Sequence, residues 1–259
     1  MDPIYLLSSC KPAYQLRWSL ALFPTSPMPP SQTWQTELDS ALDADGIRIL
    51  ESNRSSKGAL LLLLTSQPQV KPLTIVQRVK GRLQHLLRSK SPVKWHRNFR
   101  LTTLGDANIA TVENYVATQL QHHKMASEFS QQNLADFAWE DPQVKLAEPI
   151  FSSHGQYVLG LHLVLVHSER WNCASRSFLE KSQRGILTTA KKYACSVSRL
   201  SILGDHLHAT IRFHYDLAPG ELAIACMNNV AYYHEMLRLW TDSYYVGTIG
   251  SYDMNAVRS

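Results

Sequence analysis

His206 and His208 flank one leucine in the segment Ser201-Ile-Leu-Gly-Asp-His-Leu-His-Ala-Thr-Ile-Arg-Phe213. Side chains two apart on a strand project from one face, so the pair would set two imidazoles side by side as the start of a metal site. With 11 histidines in 259 residues, chance alone supplies about half an instance of His-x-His. The pair therefore needs support from the rest of the chain. A second chemistry, neutralisation of phosphate, is suggested by Arg78, Lys80, Arg82 and Arg88 on one basic segment and by Lys94, Arg97 and Arg100 around Trp95. Such residues can grip a DNA backbone, but charged helix faces are as often simply solvated. Trp240, Tyr244 and Tyr245 have the chemistry to stack on unpaired bases, although packing is the commoner use of such residues; Trp171 and Tyr193 read as core and Lys191 and Lys192 as surface charge.

Composition sets bounds on these readings. At 44% hydrophobic the chain can bury one large core or two smaller ones. A net charge of +5 permits a polyanionic partner without requiring one. Four cysteines without Cys-x-x-Cys spacing argue against a disulfide scaffold or a zinc knuckle and fit a reducing compartment. The apolar run Ala59 to Leu64 is far too short to span a bilayer, and the first ten residues lack the basic start and cleavage site of a signal peptide. A cytoplasmic protein without membrane contact is expected.

The elements that would position these residues come in the same order twice. Period and punctuation predict strands at 14–23, 46–51, 59–65 and 99–104, with helices at 34–43, from Pro72 through Arg88, and from Asn108 to Met125. The second half predicts strands at 157–166, 196–202, 206–213 and 244–249, with helices at 176–192 and 219–239. This order suits an α+β protein of two tandem ferredoxin-like (RRM-like) domains, each an antiparallel sheet with helices on one face. The expected division is 1–126 and 151–259, joined by a polar linker at 127–150 in which Phe137-Ala-Trp139 could dock on a domain.

The duplication is visible residue by residue. Trp95-His-Arg-Asn-Phe-Arg-Leu-Thr-Thr-Leu-Gly105 aligns with Trp240-Thr-Asp-Ser-Tyr-Tyr-Val-Gly-Thr-Ile-Gly250 at constant offset, matching Trp, aromatic, Thr and Gly. At that offset His206 and His208 fall on Leu61 and Leu63, so the first copy has no imidazoles at these positions. The first copy continues instead into the helix that carries Tyr115-Val-Ala-Thr-Gln119, which the second copy lacks.

Gly204-Asp-His-Leu-His208, Leu239 to Gly250 and Tyr115-Val-Ala-Thr-Gln119 together resemble the single-tyrosine HUH transposases of the insertion-sequence 200/605 type, where HUH denotes His, hydrophobic, His. The resemblance implies composite active sites in which one subunit supplies the histidines and the other a tyrosine and a glutamine on a helix. Here it implies a fused pseudo-dimer with one complete site. His206, His208 and Gln119 would hold Mg2+ or Mn2+ against the scissile phosphate, and Tyr115, one helical turn before Gln119, would attack to form a 5'-phosphotyrosine link. Asp205 would assist at the metal edge, and His122 or His123 could join the metal or hold a phosphate, or else be a solvated helix end.

The implied activity is metal-dependent nicking and joining of single-stranded DNA at hairpin-forming element ends, by a monomeric pseudo-dimer that could also associate as a homodimer. The alternatives are a catalytically inactive, transposase-derived DNA-binding protein and a relaxase or replication-initiator type of HUH nuclease. An RNA-recognition platform ranks last, since the aromatic-rich Lys/Arg-Gly-Phe/Tyr sequence is missing.

Overall fold

Strict alternation writes the central strands of the first half. In β4 (Leu60–Ser66) the side chains of Leu60, Leu62 and Leu64 are buried, whereas Leu61, Leu63 and Thr65 are half-exposed on the opposite face. A computed structural model describes residues 3–122, 128–168 and 173–251. Its first half consists of β1 (Lys11–Gln15), β2 (Arg17–Pro24), α1 (Gln35–Asp43), β3 (Ile47–Arg54), β4, α2 (Pro72–Lys90), β5 (Trp95–Leu104) and α3 (Ile109–His122). Then follow α4 (Glu128–Asp136), β6 (Trp139–Glu140), β7 (Ile150–Phe151), β8 (Gly155–Val158), β9 (Gly160–Val166), α5 (Arg176–Lys192), β10 (Ser196–Ile202), β11 (His206–Arg212), α6 (Pro219–His234) and β12 (Ser243–Ile249).

Two six-stranded sheets result, ordered β3-β4-β2-β5-β8-β7 and β6-β10-β11-β9-β12-β1. The architecture is the expected pair of tandem ferredoxin-like units, and the strand orders show the duplication directly, since β3-β4-β2-β5 in one sheet corresponds to β10-β11-β9-β12 in the other. Each half also lends a strand. β1 runs parallel to β12, with Ala13 opposite Tyr245, and β8 runs parallel to β5, with Tyr157 opposite Leu101.

Equivalent residues make the join. The Thr103 hydroxyl donates to the Ile249 carbonyl at 2.8 Å and accepts from the Gly160 amide at 3.0 Å. Its counterpart Thr248 donates to the Leu104 carbonyl at 2.5 Å and accepts from the Arg17 amide at 2.8 Å. The Gly105 amide donates to the Gly250 carbonyl at 2.9 Å. At this crossing a Cβ on Gly105 would collide with the carbonyl oxygen of Thr248, and one on Gly250, whose φ is +149°, with that of Thr103. The paired Thr-x-Gly of the two copies therefore reflects close backbone approach.

Helices α1 and α2 cover the first sheet. Pro72 opens α2, and Ile75, Val76, Val79, Leu83 and Leu87, spaced three and four apart, are its buried side chains. Helices α5 and α6 pack together on the second sheet, and both halves feed one continuous core, with Trp18 of β2 edge-on to Phe213. Several expectations are revised. The strand expected at 14–23 is two, β1 and β2, and that at 157–166 is two, β8 and β9; the members of each pair lie in different sheets, so each sheet gains a parallel strand instead of being purely antiparallel. Helix α6 ends at His234 rather than 239, because Glu235 takes the left-handed conformation (φ 55°) and the Met236 amide turns back to the Ala231 carbonyl. β5 begins at Trp95 rather than 99, because Pro24 of β2 still pairs with it there. The stretch expected as a linker holds α4, with Leu134 in the core, and β6, which pairs with β10 as the edge strand of the second sheet. Trp240 and Tyr244 are buried, and Tyr193 packs against the core as expected. Trp171, His123 and the expected end of the Tyr115 helix at Met125 lie outside the described residues.

Candidate active site

Alternation along β11 buries Leu207, Ala209 and Ile211 in the core and directs His206, His208 and Thr210 to the opposite face of the sheet. The ring centroids of His206 and His208 lie 5.0 Å apart. Helix α3, from the first half, crosses this face and packs on β10 and β11. It brings Tyr115 edge-on to His208, with centroids 5.5 Å apart and planes at 86°. The tyrosine and the histidine pair, contributed by different copies of the duplicated unit, thus meet in one place.

What docks α3 is a buried polar network that sequence reasoning missed. The Ser198 hydroxyl of β10 donates to Glu113 Oε1 at 2.8 Å and lies 2.7 Å from the hydroxyl of Thr210, and both hydroxyl residues are buried. Glu113 is two residues before Tyr115, so this bond fixes the turn that carries the tyrosine. Gln119, one turn further on, is 2% exposed, and its amide nitrogen donates to the Tyr115 carbonyl at 3.1 Å. That bond leaves the amide oxygen as the only metal-capable atom of the side chain. Tyr115 itself is 47% exposed and accessible to a large substrate.

Around the histidine pair, His206 Nδ1 lies 2.5 Å from the Asp205 carboxylate. A carboxylate on Nδ1 fixes the ring's orientation and, in the neutral ring, selects the tautomer whose lone pair is on Nε2. His208 Nδ1 lies 3.0 Å from Nε2 of His162, a residue of β9. Burial pushes the His162 pKa down to about 4, so the ring is neutral at neutral pH. His162 also faces Tyr115, at 6.2 Å between centroids, and Tyr245, at 5.7 Å. Burial, and secondarily the charge of Asp106, raises the Tyr245 pKa. Among the described residues, no group of three or more His, Cys, Asp or Glu side chains is arranged to hold a metal ion. Two imidazoles and an amide oxygen would nonetheless be a mixed nitrogen and oxygen donor set of the kind that suits a divalent ion such as Mn2+, with positions left for phosphate and water.

Other expected residues lie elsewhere. Arg78 and Arg82 of α2 both engage Asp45, at 3.7 and 2.6 Å, and hold its carboxyl below the usual range, the Arg82 hydrogen bond being the largest cause. Lys80 donates to the carbonyl of His96 at 2.7 Å. These three cations thus tie α2 to its own half. Arg88, Lys94, Arg97, Arg100 and His122 are exposed. At the equivalent positions of the first sheet, Leu61 and Leu63 are half-exposed beside Ala21 and Ser19.

Residues 156–259 match the family described as transposase, IS200 like. The match lies wholly within the C-terminal half of the chain. The matched residues include both histidines of β11 and His162 but not Tyr115, which α3 brings to them from the first half. A search of curated proteins found no match. Among solved structures, a REP-associated tyrosine transposase bound to a REP hairpin aligns at 8% identity and a TM-score of 0.32 over 38% of this chain, which spans 60% of that structure's length. A protein from Galdieria sulphuraria described as unknown aligns at 8% identity and a TM-score of 0.20 over 91% of this chain and 97% of its own. A microcompartment protein from Desulfitobacterium hafniense aligns at 11% identity and a TM-score of 0.20 over 93% of this chain and 98% of its own. Overlaps this loose carry nothing about activity. Among the described residues no helix is long and apolar enough to cross a membrane.

Proposed function

We propose that the protein nicks and rejoins single-stranded DNA, with hairpin-forming element ends as substrate, through a covalent tyrosine intermediate made at one composite site. The observation that carries this reading is the approach of Tyr115, from the first half, to His208, which lies within the residues that match the IS200-like transposase family. In the proposed step the Tyr115 phenolic oxygen attacks phosphorus and loses its proton. The bond from phosphorus to the 3' oxygen breaks, and the departing oxygen takes up a proton to become a free 3'-hydroxyl. The 5'-phosphotyrosine conserves the energy of the phosphodiester, so reversal by another 3'-hydroxyl needs no ATP.

His206, His208 and the Gln119 amide oxygen would hold the divalent cation, Mg2+ or Mn2+. When bound, such an ion offsets charge developing on the phosphate oxygens. Asp205 orients His206, and Glu113 with Ser198 holds the helix that presents the nucleophile. Lys94, Arg97 and Arg100, exposed on or beside β5, would contact the DNA backbone.

The test is cleavage of single-stranded hairpin DNA by wild type and His206→Ala with Mn2+ or with chelator. Cleavage only by wild type with metal supports the reading. Equal cleavage in all arms removes the metal from it, and tight binding without cleavage favours the non-catalytic DNA binder.

A further inference from the structure

His162 lies outside the His-x-His pair and the tyrosine helix, yet three rings of the site surround it. Strand β9 lies beside β11, with His162 opposite Thr210 and Val164 opposite His208. Its side chain shares the outward face with the histidine pair, while Leu161 and Leu163 turn into the core. From there its Nε2 reaches His208 Nδ1 at 3.0 Å, with the two ring planes inclined by only 17°. Tyr115 and Tyr245 stand edge-on to its ring.

A neutral imidazole carries its proton on one nitrogen and a lone pair on the other, and the partner of one nitrogen decides which is which. For His206 the carboxylate of Asp205, an acceptor only, settles the question. For His208 the group found at Nδ1 is the Nε2 of His162, 3.0 Å away. We propose that His162 is a positioning residue for His208: its Nε2 accepts the Nδ1–H of His208 and so fixes the tautomer whose Nε2 is the metal-binding nitrogen. This rests on the metal-dependent reading of the site. The opposite arrangement would place a proton on His208 Nε2 and remove it as a ligand. The two histidines then obtain the same tautomer from different partners, a carboxylate for one and an imidazole for the other.

The test compares the full-length wild type with His162→Gln, whose amide oxygen can still accept, and His162→Leu, which cannot. Nitrogen-15 NMR of histidine-labelled, metal-free protein reads the His208 tautomer directly, and Mn2+ affinity is measured by calorimetry. Expected are Nδ1–H for His208 in wild type and in the Gln variant, and loss of that preference with at least a tenfold weaker Mn2+ affinity in the Leu variant. Nδ1–H persisting in a folded Leu variant, or Nε2–H in wild type, overturns the role of His162. Should the Leu variant fail to fold, the wild-type tautomer and the affinity of the Gln variant still decide it. Absence of Mn2+ binding to wild type, with the His208 tautomer as expected, would instead count against the metal-dependent reading and leave the hydrogen bond standing.

Discussion

Glu113 and Ser198 come from different copies of a duplicated unit, and a 2.8 Å hydrogen bond joins them beneath the helix that carries Tyr115. The second half holds the two histidines on its sheet and the first half lays its last helix across them. This bond fastens the two contributions together.

Ser198→Ala should accordingly loosen the helix. It removes the donor to Glu113 and one partner of the buried Thr210 hydroxyl, a loss of about 1–3 kcal/mol in stability. DNA cleavage should fall severalfold at a temperature where the variant is fully folded, with affinity for single-stranded DNA little changed. Chemical denaturation and a single-turnover cleavage assay measure the two effects. Undiminished cleavage would show that α3 is placed by its other contacts.

Thr103→Val and Thr248→Val should be a matched pair. Each removes a hydroxyl that donates to a carbonyl across the join and accepts an amide of the strand beside it. Each should cost about 1–3 kcal/mol, read from urea denaturation midpoints. A large loss for one and none for the other would break the equivalence of the two copies at the join.

Acid should weaken the fold in a definite window. His234 lies 3.0 Å from the Ser182 hydroxyl and packs against Phe178, and its pKa is lowered to about 4 by burial, then by Lys181 and His167. The unfolded chain has the ordinary value near 6.5. Between these values the unfolded state binds more protons, so the stabilisation is complete above about pH 6.5 and is lost as the pH falls toward 4. The melting temperature should drop over that range, and His234→Gln should make the drop shallower. His162 acts in the same direction, so part of the slope should remain.

Much of this fold could be read from the chain because its period is strong. The run of α5 is legible to its ends, and the match of Trp95 to Gly105 with Trp240 to Gly250 discloses the duplication without any contact. What stayed hidden depends on pairing between distant strands. His162 reads in sequence as one polar residue in an alternating apolar strand, and only the antiparallel register of β9 with β11 sets it beside His208. Ser198 and Glu113 carry no local signal at all, being far apart in sequence and joined only when α3 crosses the other half's sheet. The basic helix is a different case: its charges suggested either a polyanion or a solvated face in the sequence, and the fold adds that Asp45, just past the end of α1, draws in Arg78 and Arg82.

The most direct test of the account is a denaturing gel of wild type and Tyr115→Phe incubated with single-stranded hairpin DNA and Mn2+. The account predicts a covalent protein–DNA adduct with wild type alone, while Tyr115→Phe binds the DNA as tightly and forms none. An adduct that persists in Tyr115→Phe would contradict the assignment of Tyr115 as the nucleophile.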